Sequence, residues 1–269
     1  MKPFDDSKLW IKRFIDDSNS SGCNLEEDCE YLKEMLTAPI ARFLPPLSWY
    51  LRSKWTDVFK NVKPGNIINA LELASGSSVE VPHAIAKLYT DPSSKYTTFN
   101  LNKKLTEGFK ANVKNLTLPI DVVEDAAQNI YDYYGDDKVD AVIFEHSIND
   151  ILQGMFAERY GIDTINSDWF DILPEMIKII SSEYKNKTLE SSVKAEFMIL
   201  LDSCYKVLKP GGFICFFHFM YQMDLDLGYN IELYENFVPM VRNWTTDVAL
   251  GKDASFNGFD PQWWLFIQK

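Results

Sequence analysis

The run Leu71-Glu72-Leu73-Ala74-Ser75-Gly76-Ser77-Ser78 constrains the fold more than any other stretch of the chain. It closes an apolar segment, Ile67-Ile68-Asn69-Ala70, and opens one with helical patterning from Val79 to Tyr89. A strand that ends on an acid, turns through small residues and enters a helix makes a corner in which a nucleotide can sit. Small side chains let a ligand approach the backbone, and the first helical turn carries N–H groups with no intrahelical partner. Small residues also build plain strand-to-helix connections, so the run alone does not decide between the two.

Three later segments favour the nucleotide corner. Tyr96-Thr97-Thr98-Phe99-Asn100-Leu101-Asn102 is a β-rich run ending in polar residues. Val139-Asp140-Ala141-Val142-Ile143-Phe144-Glu145-His146 is a buried-type strand ending in two ionisable groups. Val207-Leu208-Lys209-Pro210-Gly211-Gly212-Phe213-Ile214-Cys215 leaves a helix, turns at Pro-Gly-Gly and enters another apolar strand. From Asn66 onward short strands alternate with helices, the pattern of a parallel sheet covered on both faces. Strands are expected near 67–73, 96–100, 118–123, 139–145 and 212–219, and helices near 79–89, 103–114, 126–134 and 190–208. A helix near 231–242, a run over 243–250 and a strand over 263–267 close the chain.

The order and spacing of these motifs over 60–269 resemble class I S-adenosyl-L-methionine (SAM)-dependent methyltransferases. The resemblance implies an α/β fold with a Rossmann-like, mostly parallel seven-stranded sheet and helices on both faces. It also implies that the segments 243–250 and 263–267 pair antiparallel at the sheet edge. Residues 61–269 would form the methyltransferase domain, preceded by an N-terminal helical cap over 1–60. In that cap Leu25, Cys29, Leu32, Met35 and Leu36 share one face, and Leu47, Leu51, Trp55 and Val58 share another beyond the break at Pro45-Pro46. The cap either packs on the sheet, covers the substrate site, or does both. The segment 151–189 is too long and too apolar for a simple link, so it is expected to be a helical insert. It would line the acceptor pocket or form a dimer patch.

The resemblance assigns Glu72, Ala74, Ser75, Gly76 and Ser78 to the cofactor loop, Asn100, Leu101 and Asn102 to the ribose, Asp125 and Ala126 to the adenine, and Glu145 to the cofactor side of the fourth strand. Two departures from the family pattern stand out. The loop reads Glu72-x-Ala74-x-Gly76-x-Ser78, so only the central glycine remains of an acidic-x-Gly-x-Gly-x-Gly pattern, and alanine and serine take positive φ less freely. At the ribose position the usual acid is replaced by Asn100 or Asn102, which lack the ionic strengthening of the hydrogen bond.

Two of three histidines, His146 and His218, end apolar strands, where a parallel sheet opens on its ligand crevice. Either imidazole could take a proton from an attacking hydroxyl or amine, or simply make a structural hydrogen bond. His83 reads as a helix residue. Glu145 could orient His146 or bind an acceptor amine, although neighbouring strand residues face opposite sides.

A formal charge of −12 with no basic stripe argues against a nucleic-acid partner. Four cysteines without a C-x-x-C pair, and three histidines, argue against a metal site. No apolar run approaches the roughly 20 residues of a membrane span, and Met1-Lys2-Pro3-Phe4-Asp5-Asp6 shows no signal-peptide core. The expectation is a cytoplasmic monomer or homodimer. It would transfer a methyl group from SAM to an oxygen or nitrogen of a small molecule or short peptide, a carboxylate included, and release S-adenosyl-L-homocysteine (SAH). The alternatives are a transferase that uses an altered SAM, and a SAM-binding or interaction protein of this fold without turnover.

Overall fold

A computed structural model describes residues 45–63 and 65–269. The expected helix carrying Leu25 to Leu36 lies outside the described residues. Helix α1 (Pro45–Val62) begins at the Pro-Pro pair, where a missing N–H costs nothing. The chain then alternates: β1 (Asn69–Leu73), α2 (Glu80–Leu88), β2 (Lys95–Phe99), α3 (Lys103–Val113), β3 (Ile120–Val123), α4 (Ile130–Tyr134) and β4 (Val139–Glu145). The expected insert is helical, with α5 (Ile148–Tyr160) and α6 (Trp169–Lys185) preceding α7 (Leu189–Val207). Strand β5 (Leu208–Phe217), α8 (Gln222–Asp226), α9 (Ile231–Asp247), β6 (Lys252–Ala254) and β7 (Trp264–Gln268) complete it. Among the described residues no helix is long and apolar enough to cross a membrane.

The seven strands form one sheet in the order β3-β2-β1-β4-β5-β7-β6. Strands β1 to β5 run parallel, while β7 lies antiparallel to β5 and to β6. The strand order reverses between β1 and β4, and a crevice opens at such a point beyond the carboxyl ends of the strands. Every residue of β4 is buried, as a central strand covered on both faces requires.

Alternate residues feed two cores. Leu71, Leu73, Phe144 and Phe216 face the side of α5, α6, α7 and α9, where the Phe144 and Phe216 rings stack at 4.4 Å. Ala70, Ile143, Cys215 and Phe217 face the side of α1 and α2, under Trp55 and Phe59. Each fully buried aromatic contributes about 1.5–3 kcal/mol.

The run 243–250 is not the expected edge strand. Its first half continues α9, because Phe237, Val241 and Trp244 are buried at helical spacing. Ala249 and Gly251 then take positive φ and end the helical stretch, and β6 follows only at Lys252. At the Pro-Gly-Gly turn the sequence 209–212 bulges out of β5, so that Val139 pairs with Leu208 and Ala141 with Phe213. A Cβ on Gly212 would lie 2.8 Å from the Asp140 carbonyl, which explains glycine there.

Candidate functional site

The loop after β1 turns sharply because Ala74 and Gly76 both adopt the left-handed conformation, with φ of 53° and 58°. Alanine thus takes the strained backbone that glycine usually relieves. Ala74 N–H donates to the Phe99 carbonyl, and Thr98 Oγ1 donates to Ser75 Oγ, tying the loop to the end of β2.

Asn100 completes that tie. Its Oδ1 accepts from Gly76 N–H at 3.0 Å, and its Nδ2 donates to the Gly76 carbonyl at 2.6 Å. Asn102 is equally occupied: Oδ1 caps α3 by accepting from Leu105 N–H, and Nδ2 donates to the Thr164 and Ser167 carbonyls. Both side chains expected at the ribose are thus bonded to protein, one to the loop after β1 and the other to the 161–168 loop. Leu101, between them, is exposed.

A cavity of about 600 Å³ lies at this end of the sheet, lined among others by Gly76, Asn100, Asp125, Ala126, Asp150 and Trp169. A smaller one of about 140 Å³ adjoins it, sharing Ala74, Gly76, Leu105, Asp150 and Trp169 and reaching Ser75, Ser78, His146 and Asp224. Asp125 Oδ1 accepts from Ala126 N–H and Asn129 Nδ2, and Tyr133 donates to Oδ2. Asn129, Ala126 and Tyr133 hold this carboxyl below its usual range. The Ala126 N–H expected to meet adenine is directed at Asp125 here.

Glu72 is fully buried and lines neither cavity. It accepts from Tyr96 Oη, and burial, opposed by that bond and assisted by Glu80, pushes its carboxyl up to about 8. Glu145 lies near it. Burial first, then the charges of Glu80 and Glu72, raises its carboxyl well above the ordinary range. It feels the charges of these two acids and also lines the smaller cavity together with His146.

His146 directly follows β4, with a positive φ of 51°. Its Nε2 stands 3.4 Å from Asp224 Oδ2, and its ring stacks on Tyr221 at 4.5 Å. Burial opposes the charged imidazole, but Asp224 and Asp150 outweigh it, so His146 titrates above its usual value. Asp224 is itself fixed by Tyr221 N–H at 2.7 Å.

His218 does not reach either cavity. It is fully buried behind His146, with ring centroids 4.7 Å apart, and packs against Tyr234 and Phe237. Burial, followed by the charge of His146, pushes it well below the ordinary histidine value, so it stays neutral. Strand β5 ends at Phe217, one residue short of His218, whose N–H donates to the Trp263 carbonyl.

The structure adds Asp150, Asn149, Asp224, Tyr221 and Tyr229 to the site. Asp150 was legible in principle, since His146 and Asp150 stand four apart where a helix begins. Asp224 and the tyrosines lie on the segment after β5, where no periodicity marks them.

No protein-family model matches the chain, and no curated protein matches it in sequence. Solved structures do. One, from Methanococcus maripaludis, is named for a SAM-dependent methyltransferase; it is 12% identical, with TM-score 0.49, over 83% of this chain and 89% of its own. A SAM-dependent methyltransferase from Aquifex aeolicus is 13% identical, with TM-score 0.46, over 84% and 98%. A third, from Thiobacillus denitrificans and in complex with SAH, is 15% identical, with TM-score 0.33, over 66% and 50%.

Proposed function

We propose that the chain binds SAM in the larger cavity and transfers its methyl group to a nitrogen or oxygen of a small molecule or short peptide seated in the smaller one. One observation carries this reading. Among the described residues the two joined cavities are lined by carboxylates and by no Lys or Arg. The phosphates of a dinucleotide would find no countercharge there, whereas SAM carries a sulfonium and an ammonium against one carboxylate.

The chain's residues fit that group. Ala74 and Gly76 keep the loop narrow, and a Cβ on Gly76 would meet nothing closer than Leu105 Cδ1 at 3.8 Å, so the backbone is open to a ligand. Asp125 and Asn100 line the same space. When bound, SAM would supply an electrophilic methyl group to an acceptor whose proton would pass to a base of this chain. In this reading His146, which lines the smaller cavity, receives that proton. Asp224 is a positioning residue that orients the ring and stabilises its charged form. Trp169 and Leu105, at the junction of the cavities, help to exclude water.

Calorimetric titration with SAH tests the cofactor, with NADH as the control. Binding should raise the melting temperature, with about 2.7 kcal/mol of stabilisation at a hundredfold excess over Kd. No heat at millimolar SAH would refute it. The hydrogen bonding of Asn100 and Asn102 to protein favours a second reading, a SAM-binding protein without turnover. A labelled-methyl assay over a metabolite and peptide panel separates the two.

A further inference from the structure

We infer that the smaller cavity selects an acceptor bearing an amine, held as its ammonium form between Asp150 and Asp224; this rests on the methyl transfer proposed above. The cavity is rich in carboxyl groups and poor in basic side chains. Asp150, Asp224 and Glu145 all line it, and His146 is the only basic side chain among its described lining residues. Three carboxyl groups against one imidazole leave room for a cationic ligand's charge.

A second observation is independent of that charge. Asn149 lines the same cavity and is 4% exposed. Its Nδ2 donates to Asp150 Oδ1 at 2.8 Å and to Tyr229 Oη at 3.2 Å, while its Oδ1 is buried with no hydrogen-bond partner. A buried acceptor left unpaired costs about 1–3 kcal/mol. A ligand N–H would satisfy it, and a carboxylate or phosphate would not.

The surroundings agree. Tyr221 and Trp169 also line the cavity, and aromatic rings suit a cation. Burial, opposed by His146 and assisted by Asp224, pushes the Asp150 carboxyl up to about 7, so without a cation it tends to hold a proton. An ammonium would supply the missing countercharge. A carboxylate acceptor would instead add a further acid to a cavity already lined by three.

The test uses the whole chain and three matched probes: benzylamine, benzyl alcohol and benzoate. Each is titrated by calorimetry with and without saturating SAH. Benzylamine should bind roughly tenfold or more tightly than benzyl alcohol, the change expected for a charged hydrogen bond, and benzoate should bind weakest. Asp150→Asn and Asp224→Asn, checked for folding by thermal melts, should each erase the preference for benzylamine and leave benzyl alcohol unchanged. Benzyl alcohol or benzoate binding as well as benzylamine overturns the inference, as does binding of none of the three. Benzylamine that binds the free protein but is displaced by SAH also overturns it, because the cavity would then serve the cofactor's own ammonium. Failure of SAH to bind, with benzylamine still preferred, refutes the cofactor reading alone.

Discussion

Asn100 and Gly76 are joined at two points, the side-chain amide of one pairing with both the N–H and the carbonyl of the other. Asn100 thus shapes the loop after β1. A carboxylate could accept from the Gly76 N–H, but it has no donor for the Gly76 carbonyl.

Asn100→Asp should therefore weaken the protein and not strengthen cofactor binding. Losing the donated bond and facing a carboxylate with a carbonyl should cost about 1–3 kcal/mol. A melting temperature lower by roughly 2–10 °C, with SAH affinity unchanged or reduced, is the expected pair of results. Tighter SAH binding would show that the side chain turns to the ribose when the ligand arrives.

Ala74→Gly should stabilise the chain. The left-handed backbone at Ala74 costs about 1–2 kcal/mol for a residue with a Cβ, and the greater freedom of glycine in the unfolded chain takes back about 0.5–1 kcal/mol. A net gain near 0.5–1 kcal/mol raises the melting temperature by about 1–4 °C. A decrease in thermal melts would count against strain at this position.

Stability should fall as pH rises, in part through Glu72. Its carboxyl titrates near 4.5 when unfolded and at about 8 in the folded protein, so between these values the native state keeps a proton that the unfolded chain has lost. The contribution is full below about pH 4.5 and is lost as pH climbs through 8. Glu72→Gln keeps an acceptor for Tyr96 and cannot titrate, so melting temperatures from pH 5 to 8.5 should fall less steeply in the variant. Parallel curves would mean that Glu72 ionises normally.

His146→Ala should lower turnover by roughly 10²- to 10⁴-fold. SAH affinity should hold, since His146 does not line the larger cavity. Asp224→Asn should lower turnover less and move the rise of rate with pH to lower pH, because Asp224 holds the imidazole's proton. A profile unchanged in Asp224→Asn would remove its positioning role.

The sequence by itself determined the parallel strands, most of the helices and the corner at Glu72–Ser78. These follow from local periodicity and turn chemistry, which act over a few residues: β4 is apolar throughout because both its faces are covered. The same locality explains the error at 243–250, where Trp244 and Thr245 suit a strand until Phe237 and Val241 show the helical face they continue. Only the tertiary structure decided what the polar residues do. His146 and His218 are equivalent strand-end histidines in the sequence, yet one lines a cavity beside Asp224 and the other is sealed behind it. Partners such as Asn149 and Tyr229, or Asn102 and Thr164, stand 80 and 62 positions apart. A hydrogen bond is directional and short, and only the packed fold fixes which distant groups come within its reach.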